Sequence, residues 1–286
     1  MQGLDAALRE VAPFLDAARE ARGSTFVNHE GGDVGEHSTQ RALYRHVANY
    51  LAAAELAAAA GLRDSLLDVG SGTGALAAWV ATRAGAELHL VDRDESVRRV
   101  ARAAFPQAHV HADLAEVPRE AVGVVTAMEV IEHIAPPEQA AFVESLFSRV
   151  EPGGLLILST PDESQYLGGW SGYAPHVGCL TASALEALLT AAAPAGAHVR
   201  VWRMQGDAFH LGNIRRVIHP LANRLWTRLE PALAPLTHRL VGPAAKLADL
   251  ARTHAGPAMA PEVHVVPAGE GDGTGLLGVV AVPAAD

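Results

Sequence analysis

Two carboxylates and an imidazole follow an apolar run in the segment TAMEVIEHI, residues 126–134. A buried strand does not require this ending, so Glu129, Glu132 and His133 are candidates for chemistry. If a helix begins where the strand ends, spacings of three and four place them on one face, where they can converge. His176, in YAPHVGCLT, can supply a fourth group. Two carboxylates and two imidazoles suit Zn, Mn, Fe or Co better than Mg as ligands.

The same side chains also allow chemistry without a metal. His133 or His176 can act as a general base that removes a proton from an acceptor. In a third alternative the groups have structural roles only, such as capping a helix. Residue types and spacing leave these three alternatives open.

Short apolar runs alternate with segments of helical spacing from Ser65 to Pro161. This alternation predicts right-handed β-α-β units and a doubly wound parallel sheet. Ligands of such sheets bind outside the carboxyl ends of the strands. Glu129 is expected at one of these ends. Glu129, Glu132 and His133 are therefore predicted to lie at the ligand-binding edge of the sheet.

A second motif, LLDVGSGTG at residues 66–74, places an acid at a strand end and glycines in the turn that opens a helix. Asp68 is this acid, and Gly70 and Gly72 allow the backbone to approach a ligand closely. A dinucleotide site usually has the spacing G-x-G-x-x-G, which Ala75 and Leu76 do not continue.

Acids also follow the next two predicted strands. Asp92, after HLV, is placed to accept hydrogen bonds from a ribose diol. Asp113 and Leu114 follow the third strand, where a carboxylate and a backbone N–H can bind an adenine edge.

Together these motifs resemble the class I S-adenosylmethionine-dependent methyltransferases. The segment VEPGGLLILSTP, residues 150–161, matches the fifth strand of that family. The resemblance implies an α/β, Rossmann-like, doubly wound sheet of seven strands with the last strand antiparallel. N-terminal helices and a helical insertion before the last strand complete the expected fold.

The resemblance also implies cofactor contacts at the strand ends and on the second helix. Arg41, in STQRALY, looks like the arginine that takes the cofactor's carboxylate in ubiquinone-pathway O-methyltransferases; its alternative is a solvated helix position. The expected S-adenosylmethionine contacts are Arg41, Asp68, Gly70, Gly72, Asp92, Arg93, Asp113, Leu114 and Glu129.

The E-x-x-E-H motif with a later histidine resembles two metal-dependent branches of this superfamily. They are the ubiquinone-pathway O-methyltransferases and the small-RNA 3′-terminal 2′-O-methyltransferases. Similarity is closer to the first, because the RNA branch usually has an Asp-His-Phe-Glu-Trp-like segment where this chain has PHVGCLT. The net charge of −10 also disfavours a nucleic-acid partner. The resemblance implies a divalent metal at Glu129, Glu132, His133 and His176.

Composition and segment boundaries complete the prediction. No apolar window is long enough to span a bilayer, and the single cysteine gives no signal of an oxidising compartment, so we predict a soluble cytoplasmic protein. Three units are expected: an N-terminal helical cap or lid (1–60), the core (61–204 plus 262–286), and a helical insertion (205–261). The insertion is predicted to be a substrate cap or a dimer surface, with a homodimer as one possibility.

The expected activity is S-adenosylmethionine-dependent O-methylation of a hydroxylated small molecule, such as a secondary metabolite, a sugar or a catechol. A metal-free C- or N-methyltransferase with a histidine base is the main alternative. An RNA 2′-O-methyltransferase and a non-catalytic cofactor-binding regulator are further alternatives.

Overall fold

The computed structural model describes residues 4–23, 40–61, 64–166, 168–206, 264–268, 270 and 275–284. Its helices are α1 (Leu4–Arg22), α2 (Gln40–Ala59), α3 (Ala75–Ala84), α4 (Glu95–Ala104), α5 (Pro136–Phe147) and α6 (Ala182–Ala192). Its strands are β1 (Ser65–Val69), β2 (Glu87–Val91), β3 (His109–His111), β4 (Val122–Met128), β5 (Val150–Pro161), β6 (His198–Gln205), β7 (His264–Pro267) and β8 (Gly275–Ala281).

The strands form one sheet with the order β3-β2-β1-β4-β5-β8-β6-β7. Neighbours from β3 to β5 are parallel, and β8 runs antiparallel to both β5 and β6. Strand order reverses between β1 and β4, and such a switch point is where open α/β sheets bind their ligands. The predicted Rossmann-like α/β fold with an antiparallel late strand is confirmed.

The predicted number of seven strands is wrong, because the described residues contain eight. The additional strand, β7, pairs antiparallel with β6 at the edge of the sheet. It is four residues long and ends in Pro267, so its apolar pattern is too short to stand out in the sequence. The predicted helical insertion lies outside the described residues from position 207 to 261, and the division into three units stays a prediction.

Apolar side chains cover both faces of the sheet, as expected for buried parallel strands. All seven residues of β4 are buried. One face packs against α1 to α4, and the other packs against α5 and α6. Adjacent residues Leu66 and Leu67 point to opposite faces and belong to these two separate cores. None of the helices in the described ranges is long and apolar enough to cross a membrane.

A buried ion pair joins the end of β5 to β6. Arg203 Nη1 donates to Asp162 Oδ2 over 2.7 Å, and the two side chains are only 8% and 2% exposed. Asp162 Oδ1 also accepts from the Ser164 amide, which begins the following turn. The pair therefore ties the outer antiparallel strands to the strand end that enters the candidate site.

We predict that Asp162→Asn lowers the free energy of unfolding by about 3–5 kcal/mol, because it removes the buried carboxylate charge that Arg203 contacts. Asp16→Asn is the matched control: its partner Arg19 lies at 2.6 Å, but these side chains are 60% and 49% exposed. The control should cost less than about 1 kcal/mol. Urea denaturation measures the free energy of unfolding of both variants, and equal decreases in the two would contradict the prediction.

Candidate functional site

Asp68 is the most buried acid at the carboxyl edge of the sheet. Its side chain is fully enclosed, with Thr126 Oγ1 donating to Oδ1 (2.6 Å) and Tyr50 Oη donating to Oδ2 (2.7 Å). Burial raises the pKa of Asp68 to about 7, although both hydrogen bonds favour the ionised form. The acid of the glycine motif is therefore held between β4 and α2.

The glycine turn is closed by Asp92. One oxygen of this carboxylate accepts from the Gly72 amide (2.9 Å), and the other accepts from the Asp94 amide (2.9 Å). Burial raises the pKa of Asp92, and these two hydrogen bonds oppose the shift. Gly70 has φ +73°, and a Cβ there would lie 2.5 Å from Val130 Cγ2, so the turn packs directly against the segment after β4. The structure thus brings the predicted glycines and Asp92 together.

The acids after β3 lie at the solvent-exposed side of this edge. Asp113 is exposed and caps a 3₁₀ turn by accepting from the Ala115 amide over 2.8 Å. The carbonyl of Leu114 accepts from Arg149 Nε over 3.0 Å. Arg93 is exposed next to Asp92. Whether these residues hold an adenine stays a prediction.

Helix α2 contributes polar groups that the sequence prediction missed. Arg41 lies in the first turn of α2, and its side chain is outside what the structure describes. One turn later, Arg45 Nη2 donates to Glu129 Oε2 over 3.1 Å. Asn49 Nδ2 donates to Glu129 Oε1 (3.3 Å) and to Ser159 Oγ (3.0 Å). A signal was present in the sequence, because Arg41, Arg45 and Asn49 repeat at every fourth position and so share one face of α2.

Glu129 does not join the other predicted metal ligands, which corrects the four-residue set. It leaves β4 with φ +57°, a left-handed conformation that is uncommon for a residue with a side chain. Its amide donates to the carbonyl (3.0 Å) and hydroxyl (3.1 Å) of Ser159, which holds this turn. The segment that follows, for which the sequence argument considered a helix, is a 3₁₀ turn (Ile131–His133). The carboxylate therefore faces Arg45 and Asn49 instead.

Glu132, His133 and His176 do come together. One potential ligand atom from each lies within 4.8 Å of the others. The two imidazole centroids are 5.0 Å apart, at an interplanar angle of 75°. Glu132 is 1% exposed and accepts from Thr160 Oγ1 over 3.1 Å. Burial, with the Glu129 charge nearby, raises the pKa of Glu132 well above its usual range.

The orientation of His133 follows from its hydrogen bond. Its Nδ1 lies 3.2 Å from the carbonyl oxygen of Pro175. Because a carbonyl oxygen only accepts, Nδ1 of neutral His133 carries the proton and Nε2 carries the lone pair. His133 is thus prepared to act as a base or as a ligand.

Gly178 and Gln139 hold the loop of His176 against the turn of Glu132. The Gly178 amide donates to the Glu132 carbonyl over 2.8 Å. Gln139 Nε2 donates to the carbonyls of Gly178 (2.6 Å) and Ile131 (3.1 Å). A Cβ on Gly178 would lie 2.0 Å from the Ile134 carbonyl oxygen, so only glycine fits. Neither residue was selected from the sequence.

A second group surrounds His176 on its other side. Ligand-type atoms of Glu163, His176 and Cys179 lie within 4.8 Å of one another. His176 Nδ1 is 2.5 Å from Glu163 Oε1. Burial opposes ionisation of Glu163, but hydrogen bonds from His176 and Ser171 outweigh it and lower its pKa. Burial, with the Glu163 carboxylate, raises the pKa of the Cys179 thiol to about 12, so Cys179 is a neutral thiol at physiological pH.

We predict that the free energy of unfolding of Asp68→Asn, relative to that of wild type, increases as the pH rises from about 4 to about 7. The folded protein raises the pKa of Asp68 from 3.8 to about 7, so ionisation above pH 4 costs the folded state free energy that the amide does not lose. Between pH 4 and pH 7, the free energy of unfolding of wild type should fall by roughly 2–4 kcal/mol relative to that of the variant. Denaturation at several pH values measures the difference. Asp64→Asn, at an exposed position, should track wild type, and a pH-independent difference for Asp68→Asn would refute the prediction.

The fold is similar to two solved structures of low sequence identity. One is the [4+2]-cyclase SpnF, with 17% identity, 85% of this chain and 84% of that chain covered, and a TM-score of 0.50. The other is a candidate sarcosine dimethylglycine methyltransferase from Galdieria sulphuraria, with 10% identity, 85% and 88% coverage, and a TM-score of 0.51. At these identities the likeness concerns the fold alone.

Sequence comparison is more specific. Over 107 residues the chain is 36% identical to a Mycolicibacterium smegmatis protein named "Probable S-adenosylmethionine-dependent methyltransferase". The match covers 36% of this chain and 40% of that relative, and so spans less than half of the curated relative's length. A family model described as "Methyltransferase domain" matches residues 39–209, more than half of the 286 residues. The chain therefore belongs to the methyltransferase domain family.

Proposed function

We propose that this chain is an S-adenosylmethionine-dependent methyltransferase that methylates a hydroxyl oxygen of a small molecule. Family membership and the relative from M. smegmatis support methyl transfer from this cofactor. Oxygen as the acceptor atom is supported by one observation: potential ligand atoms of Glu132, His133 and His176 lie within 4.8 Å of one another, near the carboxyl edge of the sheet. The E-x-x-E-H resemblance to ubiquinone-pathway O-methyltransferases points in the same direction.

The cofactor half of the site offers groups that fit S-adenosylmethionine. We assign Asp92 to the ribose hydroxyls, and Arg45 and Glu129 to the part of the edge nearest the switch point. Asn49 is 1% exposed, and its Oδ1 has no hydrogen-bond partner among the described residues. A buried acceptor without a donor is costly, and the ammonium of the methionine portion is a donor of the required kind. Asn49 thus adds a cofactor contact to those expected from the sequence.

Methyl transfer to an alcohol is a one-step displacement. The carbon–sulfur bond of the sulfonium breaks as the carbon–oxygen bond forms, and the sulfur keeps the electron pair as S-adenosylhomocysteine. The acceptor hydroxyl must lose its proton, and we assign its removal to Nε2 of His133 or of His176. The protein's main task is to hold the two reactants in line.

The donor set also fits a divalent metal. One carboxylate and two imidazoles suit Zn, Mn, Fe or Co better than Mg. Glu132 is buried with a raised pKa, so a nearby cation would offset the cost of ionising it. Glu132, His133 and His176 would hold the ion, which supplies Lewis-acid chemistry that lowers the pKa of a bound hydroxyl. Without a metal, the two histidines remain as bases, which keeps the C- or N-methyltransferase alternative open.

Three expectations stay predictions from the sequence: an acceptor that is a secondary metabolite, a sugar or a catechol, a homodimer, and a cytoplasmic location.

Two variants should distinguish the cofactor half of the site from the acceptor half. Asp92→Asn should weaken S-adenosylmethionine binding by at least about tenfold, since it removes charge-assisted hydrogen bonds to the ribose. Glu132→Gln should leave this affinity unchanged and abolish turnover. Calorimetry measures the affinity, and methyl-labelled cofactor with a panel of hydroxylated acceptors measures turnover. If both variants lose cofactor binding equally, the assignment of the two halves is wrong.

The same assay tests the reaction class. Because a [4+2]-cyclase shares the fold, an acceptor that is converted without consumption of the cofactor's methyl group would overturn the proposal. Transfer of label to carbon or nitrogen instead of oxygen would favour the metal-free alternative.

Metal content distinguishes the two ways of activating a hydroxyl. We expect purified protein to contain divalent metal, and chelation to abolish turnover until the ion is restored. Elemental analysis before and after chelation, with Glu132→Gln as the control that should lose metal, measures this. Full activity in the stripped protein would eliminate the metal and leave histidine base catalysis.

A further inference from the structure

Glu163 is a buried acid beside His176 and is not among the residues that would contact the cofactor, the acceptor or a metal. It lies two residues after the end of β5 and is 1% exposed. Its carboxylate accepts three hydrogen bonds. Oε1 accepts from Ser171 Oγ (2.6 Å) and lies 2.5 Å from His176 Nδ1, and Oε2 accepts from the Ser171 amide (2.7 Å). Both oxygens are therefore committed to this loop.

These contacts determine which nitrogen of His176 carries a proton. The Ser171 amide can only donate, and it occupies Oε2. Oε1 of the carboxylate likewise accepts, so Nδ1 of neutral His176 is the protonated nitrogen and Nε2 carries the lone pair. The imidazole of His176 then presents the same nitrogen as His133, whose Nδ1 is held by Pro175.

The neighbouring thiol does not compete for this role. Cys179 Sγ donates to the His176 carbonyl over 3.7 Å, within the same loop. A hydrogen bond with the Glu163 carboxylate also contributes to the raised pKa of the Cys179 thiol, so Glu163, His176 and Cys179 form one hydrogen-bonded group in which the thiol stays protonated.

We propose that Glu163 is a positioning residue that holds His176 in the Nδ1–H tautomer, so that its Nε2 faces the acceptor beside Glu132 and His133. The inference deepens the proposed function, and it rests on that function for the role of His176. Carboxylates that orient a histidine in this way fix both the tautomer and the ring orientation.

We expect Glu163→Gln to change the tautomer of His176 as well as to remove the carboxylate charge. The Ser171 amide still needs an acceptor, which places the glutamine carbonyl oxygen where Oε2 was. The glutamine NH₂ then faces His176 Nδ1, and it can only donate. His176 should therefore switch to the Nε2–H tautomer, with its lone pair turned away from the acceptor.

The test is ¹⁵N NMR of histidine-labelled full chain in chelator-treated buffer, at a pH well above the ordinary histidine pKa of about 6.5. Long-range ¹H–¹⁵N correlations distinguish the two tautomers, and a His176→Gln variant identifies the signal. We expect Nδ1–H in wild type and Nε2–H in Glu163→Gln, while His133 remains Nδ1–H in both. Glu186→Gln, at an exposed position on α6, is the matched control and should resemble wild type.

Two results would each overturn the inference: an Nε2–H tautomer of His176 in wild type, or an unchanged Nδ1–H tautomer in Glu163→Gln. The wild-type measurement keeps the inference falsifiable even if the variant does not fold. Neither reading requires cofactor or acceptor. Failure of methyl transfer would therefore count against the proposed function, and failure of the tautomer pattern against the role of Glu163.

Discussion

The acceptor half of the site depends on the contact between the loop of Gly178 and the turn of Glu132. The Gly178 amide bonds to the Glu132 carbonyl, and the buried Gln139 amide bridges the two segments. These bonds join the two backbone segments that carry Glu132, His133 and His176 and so hold the three side chains near one another. Hydrogen bonds of this kind are directional and enclosed, so the loop cannot shift without leaving buried polar groups unpaired.

Burial of charge is the second constraint at this edge, and the acids there are stabilised either by an arginine or by hydroxyl donors. Glu129 is paired with Arg45, and Asp162 with Arg203. Asp68 is held by two hydroxyl donors, and burial raises its pKa to about 7. Glu132 has one hydroxyl donor and a raised pKa. It is therefore the acid that gains most from a cation, which is why the proposed metal and the proposed acceptor share this corner.

Several parts of this arrangement could be predicted because they are local. The glycine turn requires positive φ, which Gly70 and Gly72 show. Alternation of strands and helices predicted the fold, and the acids at strand ends predicted the edge. The sequence did not predict the roles of Arg45, Asn49 and Glu163. A polar residue on a helix or in a loop has no local pattern that distinguishes a buried partner from a solvated side chain. Glu129 was misplaced for a related reason: the sequence does not reveal the left-handed turn that points its side chain toward α2.

The sequence by itself determined the α/β class, the cofactor-type glycine motif and the concentration of acids and histidines near the carboxyl edge. These follow from periodicity and from residue types, which act over a few positions. Only the tertiary structure decided which groups meet. His176 joins Glu132 and His133 across more than forty residues because the loop is hydrogen-bonded to the turn, and Glu163 reaches His176 because the chain after β5 comes back to the same place. Such contacts depend on the paths of separate segments in space, which no local pattern encodes.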